Sequence, residues 1–554
     1  MNTPEGFTCI GFKTLFDKES FNPRTVLGGL PLYNVLHFIL ERQNTVQYTL
    51  GSRDDQMIQI EELQEHLRYT SKYRLKKAKA KFPNLYLFGN MATLLFIMMA
   101  TEFCERSSRE LTEKEIEKVF KAYLYCNDSW SDKQASGISP LVIKKNIPGM
   151  YLMADIPIME FKFHKDFKPQ LFKAGQLFKF MENNEPYATY LRMFYTEHKI
   201  KDWREYIGLL FSFYSSAIDK CVVKIDDQYS NIRPFFDRMC VDLESEEGHH
   251  LWSYMNIKYL REHPLLSVMG EYYIALNPNL IVDRMFQALK FIIFDAMLAN
   301  GARNNKGKLL TDRPTFFGML GNDFSETNIF YAAINKAFSG IADAMFSGEE
   351  LKQKGVVAEP DFYIRFGNSL LLFEYKDVTL SDDVKQSYDY NVVRGAILDR
   401  ICKDDGKIRK GVGQLYYSAN EILTNKSLLS IDSESLNVTR IYPIVVITDK
   451  SFNSLGVQHL IVEASSTILQ KYSFPGFVSN PIILDYDSLL LMSKKINDGR
   501  INFIALLDEF NANNHHNLSS FDAYITDNHR DWLLMGKEDV DHIFAEIIQD
   551  MDGK

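Results

Sequence analysis

The sequence predicts a multidomain α+β/α protein: a large, mostly helical N-terminal region, then a mixed-sheet α/β core, then a helical C-terminal tail. Three observations predict it. Over roughly the first 260 residues, apolar side chains recur at three- and four-residue steps, with few Gly or Pro. Beyond a polar stretch at 300–308, short β-branched runs alternate with helical patterns. Past 500 the chain reads as helical and acidic.

Taken in order, Pro31–Glu41 and Ala92–Phe103 carry the helical period, and Thr112 with Glu115 forms a capping-box pattern opening a helix over Glu115–Tyr125. Pro264-Leu-Leu and Gly270-Glu-Tyr-Tyr-Ile-Ala-Leu-Asn-Pro predict a small hairpin within 265–281, ahead of a long apolar helix, Asp283–Leu298. Asn300-Gly-Ala-Arg-Asn-Asn-Lys-Gly-Lys308 is the linker candidate. The expected division is therefore 1–310, 311–500 and 501–554. In the second part we expect a helix over Ser325–Phe346, two strands flanking Gly367-Asn368 and a helix over Lys410–Leu423. A buried strand Ile441–Thr448, a strand Pro481–Asp485 and a short helix Ser488–Ile496 come after them.

Composition sets limits on function. At 46% hydrophobic and 24% charged residues over 554 positions, there is ample material for a core, which excludes whole-chain disorder. A net charge of −9 excludes a polycation, so any nucleic-acid surface has to be local. Six cysteines (Cys9, Cys104, Cys126, Cys221, Cys240, Cys402) lack zinc or redox spacing and read as free thiols of a reducing compartment. No export signal is visible, and the longest apolar run, Ala92–Ala100, is about half a bilayer span. The expectation is a cytoplasmic protein with no membrane partner. Neither a Walker-type phosphate loop nor a Gly-x-Ser-x-Gly elbow is present.

One segment concentrates chemistry: Ala358-Glu-Pro-Asp361-Phe-Tyr-Ile-Arg-Phe-Gly-Asn-Ser-Leu-Leu-Leu-Phe-Glu374-Tyr-Lys376-Asp. Gly367-Asn368 between two aromatic-rich runs is the signature of a type II′ hairpin. In that register Phe366 faces Ser369, and counting back sets Asp361 opposite Glu374. Directly opposed residues stand about 5 Å apart on one face, which alternation extends to Lys376. Phe362, Ile364, Phe366, Leu371, Phe373 and Tyr375 share the other face, a hydrophobic floor. Two carboxylates this close repel unless a cation sits between them. Mg²⁺ suits a site with few protein oxygens, completing its shell with water and phosphate. Lys376 would position a metal-bound water or neutralise the developing negative charge.

Pro360-Asp361 followed by Glu374-Tyr375-Lys376 resembles the motif of the PD-(D/E)xK nuclease superfamily, which is restriction-endonuclease-like. The resemblance covers residues 311–500. It implies a mixed sheet flanked by helices and Mg²⁺-dependent cutting of nucleic acid, with Mn²⁺ able to substitute. It further implies an earlier helix bearing a metal-binding Glu, for which Glu326 is the best match ahead of Glu349 and Glu350. A later helix bearing a Gln is met by Gln414. The segment Asp377–Arg409 is long for the connection it makes and is expected to be a substrate loop.

Simpler readings compete. Asp361, Glu374 and Lys376 would otherwise be a solvated hairpin face with a surface ion pair, and Glu326 an acid placed for a helix dipole. Asp155, Glu160 and Lys162 also read as carboxylate-x-Lys, but no hairpin fits between them. Lys72, Arg74, Lys76 and Lys77, interleaved with Tyr69 and Tyr73, lie in a run without acids that suits backbone phosphates. Phe161–Phe180 alternates lysines with phenylalanines, which would suit unpaired bases if exposed but at helical spacing read rather as core. Lys403, Lys407, Arg409 and Lys410 form a smaller basic cluster by the core. The pairs His249-His250 and His515-His516 lack partners at metal spacing. The expected activity is phosphodiester hydrolysis, on DNA rather than RNA, with restriction or anti-phage defence suggested by analogy. A homo-oligomer or a partner protein is compatible with it. The alternative is a silent nucleic-acid-binding or protein-interaction scaffold with a nuclease-like domain.

Overall fold

The computed structural model describes residues 8–534 except 18, 49–52, 83, 163–164, 305–306, 425–427, 475 and 515–516. In the N-terminal region, Asn90–Phe103 is apolar all round, with Met91–Thr101 buried, and therefore sits inside the helices packed on it. The capping box forms, Glu115 accepting from the backbone N–H of Thr112 at 3.0 Å. Its helix runs Glu113–Ile143, well beyond the expected Tyr125, because Trp130, Gly137 and Leu141 continue the buried stripe. The hairpin expected within 265–281 is Leu265–Val268 against Tyr272–Ala275, and Val222–Lys224 adds a third strand. The long apolar helix is broken into Pro278–Met285 and Leu289–Ala299, with Phe286 at φ −144° in the break.

The C-terminal half is built on one mixed sheet, whose strands we number β1 (Ala344–Ser347), β2 (Phe362–Phe366), β3 (Ser369–Lys376), β4 (Arg440–Ile447), β5 (Phe477–Val478) and β6 (Ile482–Asp485). The order is β5–β4–β3–β2–β1, with β6 also on β4. β1, β2 and β3 are antiparallel neighbours, whereas β4 runs parallel to β3, β5 and β6. The expected helix Ser325–Phe346 is instead a π-helix, Gly321–Tyr331, continued by an α-helix, Ala332–Phe338, and then β1. The helix stops before Gly340, whose N–H donates to Asn497 Oδ1 at 2.9 Å, and the apolar residues after it find their partners across β2. The segment expected as a substrate loop is folded: it holds helices Asp382–Lys385 and Tyr390–Ile401 and one strand of a hairpin, Cys402–Asp404 with Arg409–Gly411. Gly411 has φ +55°, and a Cβ there would lie 2.2 Å from the Ile401 carbonyl, so the approach of this hairpin to helix Val412–Leu423 requires glycine.

The sheet is buried on both faces. Phe362, Ile364, Leu371, Phe373 and Tyr375 face one cluster, and Tyr363, Leu370 and Leu372 face another beneath helices Tyr390–Ile401, Val412–Leu423 and Val457–Leu469. The first cluster also takes in Leu171 through Leu310, so packing is continuous across residue 310. At the linker candidate, Arg303 is bridged to Leu309, and Tyr190 donates to the Arg303 carbonyl at 2.7 Å. Helices Phe503–Asn513 and Phe521–Asn528 cover the same cluster, while residues 535–554 of the expected tail lie outside the described residues. No helix among the described residues is long and apolar enough to cross a membrane.

One buried polar group inside the sheet is Arg365 of β2, which gives Asp432 a 2.7 Å bond from Nε and a 3.0 Å bond from a terminal nitrogen, while Tyr363 donates to the same carboxylate at 2.9 Å. Both charges are buried, so removing one strands the other. Asp432→Ala is expected to lower unfolding stability by about 3 kcal/mol in urea titration.

Candidate active site

The turn at Gly367-Asn368 sets the pairing of the ribbon. Gly367 has φ +54° and Asn368 does not take a positive φ, as a type II′ turn requires. The register runs from Phe366↔Ser369 to Phe362↔Phe373, as the turn predicts, so Asp361 and Glu374 occupy the next position. There the ladder ends in a side-chain bond: Asp361 Oδ2 accepts from the Tyr375 N–H at 2.7 Å. Lys376 Nζ donates to Glu374 Oε1 at 2.5 Å, completing the expected group of three. Glu374 is buried, and its second oxygen, Oε2, receives no hydrogen bond.

Burial is the largest cause pushing both carboxyl pKa values above their ordinary range. For Asp361 the Glu374 charge adds to it; for Glu374, the charges of Glu326 and Glu359 add and Lys376 opposes. Burial would depress the Lys376 ammonium, but Glu374 and Asp361 outweigh it and raise its pKa. The group is therefore one cation among carboxylates that strongly resist being charged together in a dry site.

Glu326 sits on the π-helix, a rare conformation recurrent at functional sites. That helix is clamped to the ribbon by Phe330 stacked on Tyr375 (centroids 5.0 Å apart, 8° between planes) and by Tyr331 against Phe362. The Glu326 carboxylate is engaged by the Tyr331 hydroxyl at 2.5 Å. It acts on Asp361 and Glu374 through its charge, but among the described residues no group of three or more acid, His or Cys side chains is arranged to hold a metal. Glu349 and Glu350 open a separate short helix capped by Ser347, whose backbone N–H donates to Glu350 at 2.8 Å. Gln414 borders the group, donating to the Glu359 carbonyl at 3.5 Å, and none of its hydrogen bonds reaches Asp361, Glu374 or Lys376.

The basic candidates part company. Lys403 and Lys410 both pair with Asp399, at 2.8 and 3.2 Å, and Arg409 pairs with Asp404 at 3.4 Å over the Tyr417 ring. Of that cluster only Lys407 stands exposed and unpaired among the described residues. Lys72 pairs with Glu65 and Arg74 with Glu19, whereas Lys76 and Lys77 point outward. Lys165 and Lys173 of the Phe161–Phe180 stretch turn inward to Asp283 and Asp487. The rejected Asp155/Glu160/Lys162 trio is structural: Lys162 pairs with Asp155, and Glu160 with Arg261 and Lys385. His249 and His250 pack ring to ring, and His515-His516 lie outside the described residues.

Sequence reasoning passed over Asp377, the residue after Lys376. Burial would raise its pKa, but Lys290 Nζ at 2.9 and 3.1 Å, with Ser325 and Thr448 donating at 2.9 Å each, holds it below the carboxylate range. Asp377 thus ties the end of β3 to the residue before Glu326, to the end of β4 and to helix Leu289–Ala299. The available signal was Lys290, the only cation in that apolar helix.

No family model, curated protein or solved structure matches the chain.

An acid with a raised folded pKa holds its proton more tightly folded than unfolded, so its contribution favours folding at low pH and is lost as pH rises through the folded value. In chelator, Asp361→Asn is therefore expected to raise the thermal midpoint at about pH 7. The gain should shrink as pH falls through about 4 and vanish below about pH 3, where the wild-type acid is protonated in both states. Differential scanning fluorimetry across this range checks it.

Proposed function

We propose that this chain is a metal-dependent nuclease that hydrolyses phosphodiester bonds of nucleic acid, DNA in preference to RNA, at Asp361, Glu374 and Lys376. The observation that carries the reading is the pair of buried, mutually repelling carboxyls, one of whose oxygens, Glu374 Oε2, has no donor. The residues fit a hard divalent cation, Mg²⁺ or Mn²⁺, with Asp361 and Glu374 as protein ligands and Glu326 adding charge from the π-helix. Such an ion supplies charge neutralisation at phosphate and acidification of water.

The chain's own groups divide the remaining work. Lys376, its pKa raised by Glu374 and Asp361, stays an ammonium near neutrality. It therefore acts as an electrostatic clamp on the phosphate and a proton donor, not as the base. The Asp361–Tyr375 bond keeps one carboxylate oxygen committed to the backbone and leaves the other free. Asp377, with its four bonds from three donors, is a positioning residue that keeps the end of β3 from fraying. In the net reaction a water oxygen bonds to phosphorus, and the ester oxygen leaves with its electron pair and takes up a proton.

The second reading, a silent nucleic-acid-binding scaffold, draws on one observation: among the described residues no group of three or more acid, His or Cys side chains is arranged to hold a metal. One assay separates the readings. With Mg²⁺ or Mn²⁺ the full chain is expected to degrade plasmid, linear duplex or single-stranded DNA, and EDTA to stop it. Asp361→Ala, Glu374→Ala and Lys376→Ala should each reduce the rate by about a hundredfold or more. Cutting that persists in all three variants defeats the proposal.

A further inference from the structure

Helix Tyr69–Lys81 carries a feature that the site does not use. Ser71, Leu75 and Ala78 pack it onto the helical region. On its flanks, Lys72 pairs with Glu65 at 3.1 Å, Lys79 with Glu61 at 2.9 Å and Arg74 with Glu19 at 2.8 Å, Arg74 also covering the Phe16 ring. The crest opposite the buried residues is different. Tyr69 and Tyr73, one turn apart, are 83% and 59% exposed, and Lys76 and Lys77 continue the line on the next turn. Among the described residues no carboxylate pairs with the side chains of Lys76, Lys77, Arg68 or Lys81, and Glu117 accepts only from the Arg68 backbone N–H, at 3.4 Å. In a chain of net charge −9, this face keeps its positive charge uncompensated and holds two large rings in water.

We propose that the crest of this helix, Tyr69, Tyr73, Lys76 and Lys77, is an accessory binding surface for single-stranded nucleic acid. Exposed rings one turn apart offer faces to unpaired bases, and the adjoining ammonium groups meet the backbone phosphates, which gives sequence-blind, salt-sensitive binding. A convex helix face with tyrosines leading favours unpaired over paired bases, because duplex bases keep their faces stacked on one another. The choice of nucleic acid among polyanions rests on the nuclease reading. The surface itself is independent of the metal site.

The test uses the full chain in EDTA, so that nothing is cut, and a fluorescein-labelled single strand of about 20 nucleotides beside its duplex, longer than one stacking site. Anisotropy titrations compare wild type with Tyr69→Ala/Tyr73→Ala and Lys76→Glu/Lys77→Glu. Each double variant is expected to bind the single strand about tenfold or more weakly while keeping the wild-type thermal midpoint, since these side chains face solvent. The lysine variant should also lose roughly one unit or more from the slope of log affinity against log salt. Variants that bind the single strand as wild type overturn the proposal. So does an equal loss on duplex in the tyrosine variant, or a wild-type chain that binds phosphatidylserine-rich vesicles and not the oligonucleotide. A chain that binds through this face but never cuts refutes the nuclease reading alone. One that cuts, with both double variants binding as wild type, refutes this proposal alone.

Discussion

The register of one two-stranded ribbon is the constraint on which the rest depends. With Gly367 at positive φ, β2 and β3 can pair in one way, and Asp361, Glu374 and Lys376 then share the end of the ladder. A slip of one residue would send Glu374 and Lys376 to the aromatic side, where Phe330 stacks on Tyr375. Two dry faces forbid that slip, because each strand residue already has a packed partner. The ribbon ends in a bond that the Tyr375 backbone N–H donates to the Asp361 side chain, so the Asp361 carboxylate is also the last rung of the sheet.

Burying like charges at a sheet end is costly, and the fold offsets the cost by gathering counter-charges from distant segments. Asp377, Asp449 and Asp487 lie just beyond β3, β4 and β6, and Asp485 is the last residue of β6. Lys290 and Lys173 reach Asp377 and Asp487 from helices far earlier in the chain, and Lys385 reaches Asp449 from the segment after β3. At β6 the balance is incomplete: burial lifts Asp485 to about 7, although Lys450 opposes it. The helical region is therefore more than a neighbour of the sheet. Its lysines complete pairs that would otherwise leave carboxylates alone in a dry interior.

Runs of basic residues that look alike in sequence have different fates in the fold. The basic residues of hairpin 402–411 are largely neutralised, by its own Asp404 and Asp405 and by Asp399 of the preceding helix. Lys165 and Lys173 are engaged by buried aspartates. Helix Tyr69–Lys81 is divided along its length, with paired flanks and an unpaired crest. Charge composition announces none of this, because a lysine's role is decided by whether a carboxylate reaches it.

Local rules made much of the fold legible. The capping box at Thr112, the small hairpin near 265, the Gly367-Asn368 turn and the apolar strands at 441 and 482 arise from propensity and short-range periodicity, and the sequence by itself determined which three side chains meet at the ribbon's end. What it did not determine was any pairing beyond the nearest elements. Ala344–Phe346 has an apolar texture that fits helix or strand, and only its partner β2 decided between them. The Asp377–Arg409 segment looked like a loop until its apolar residues found the cluster under β3. Asp377 became an anchor, and Glu326 a charged neighbour held by Tyr331, through contacts that the order of residues along the chain does not announce. Turn chemistry and alternation act over a few residues and can be read in order along the chain. Counter-ions, second sheet faces and helix crests depend on which distant surfaces come together, and only the folded chain settles that.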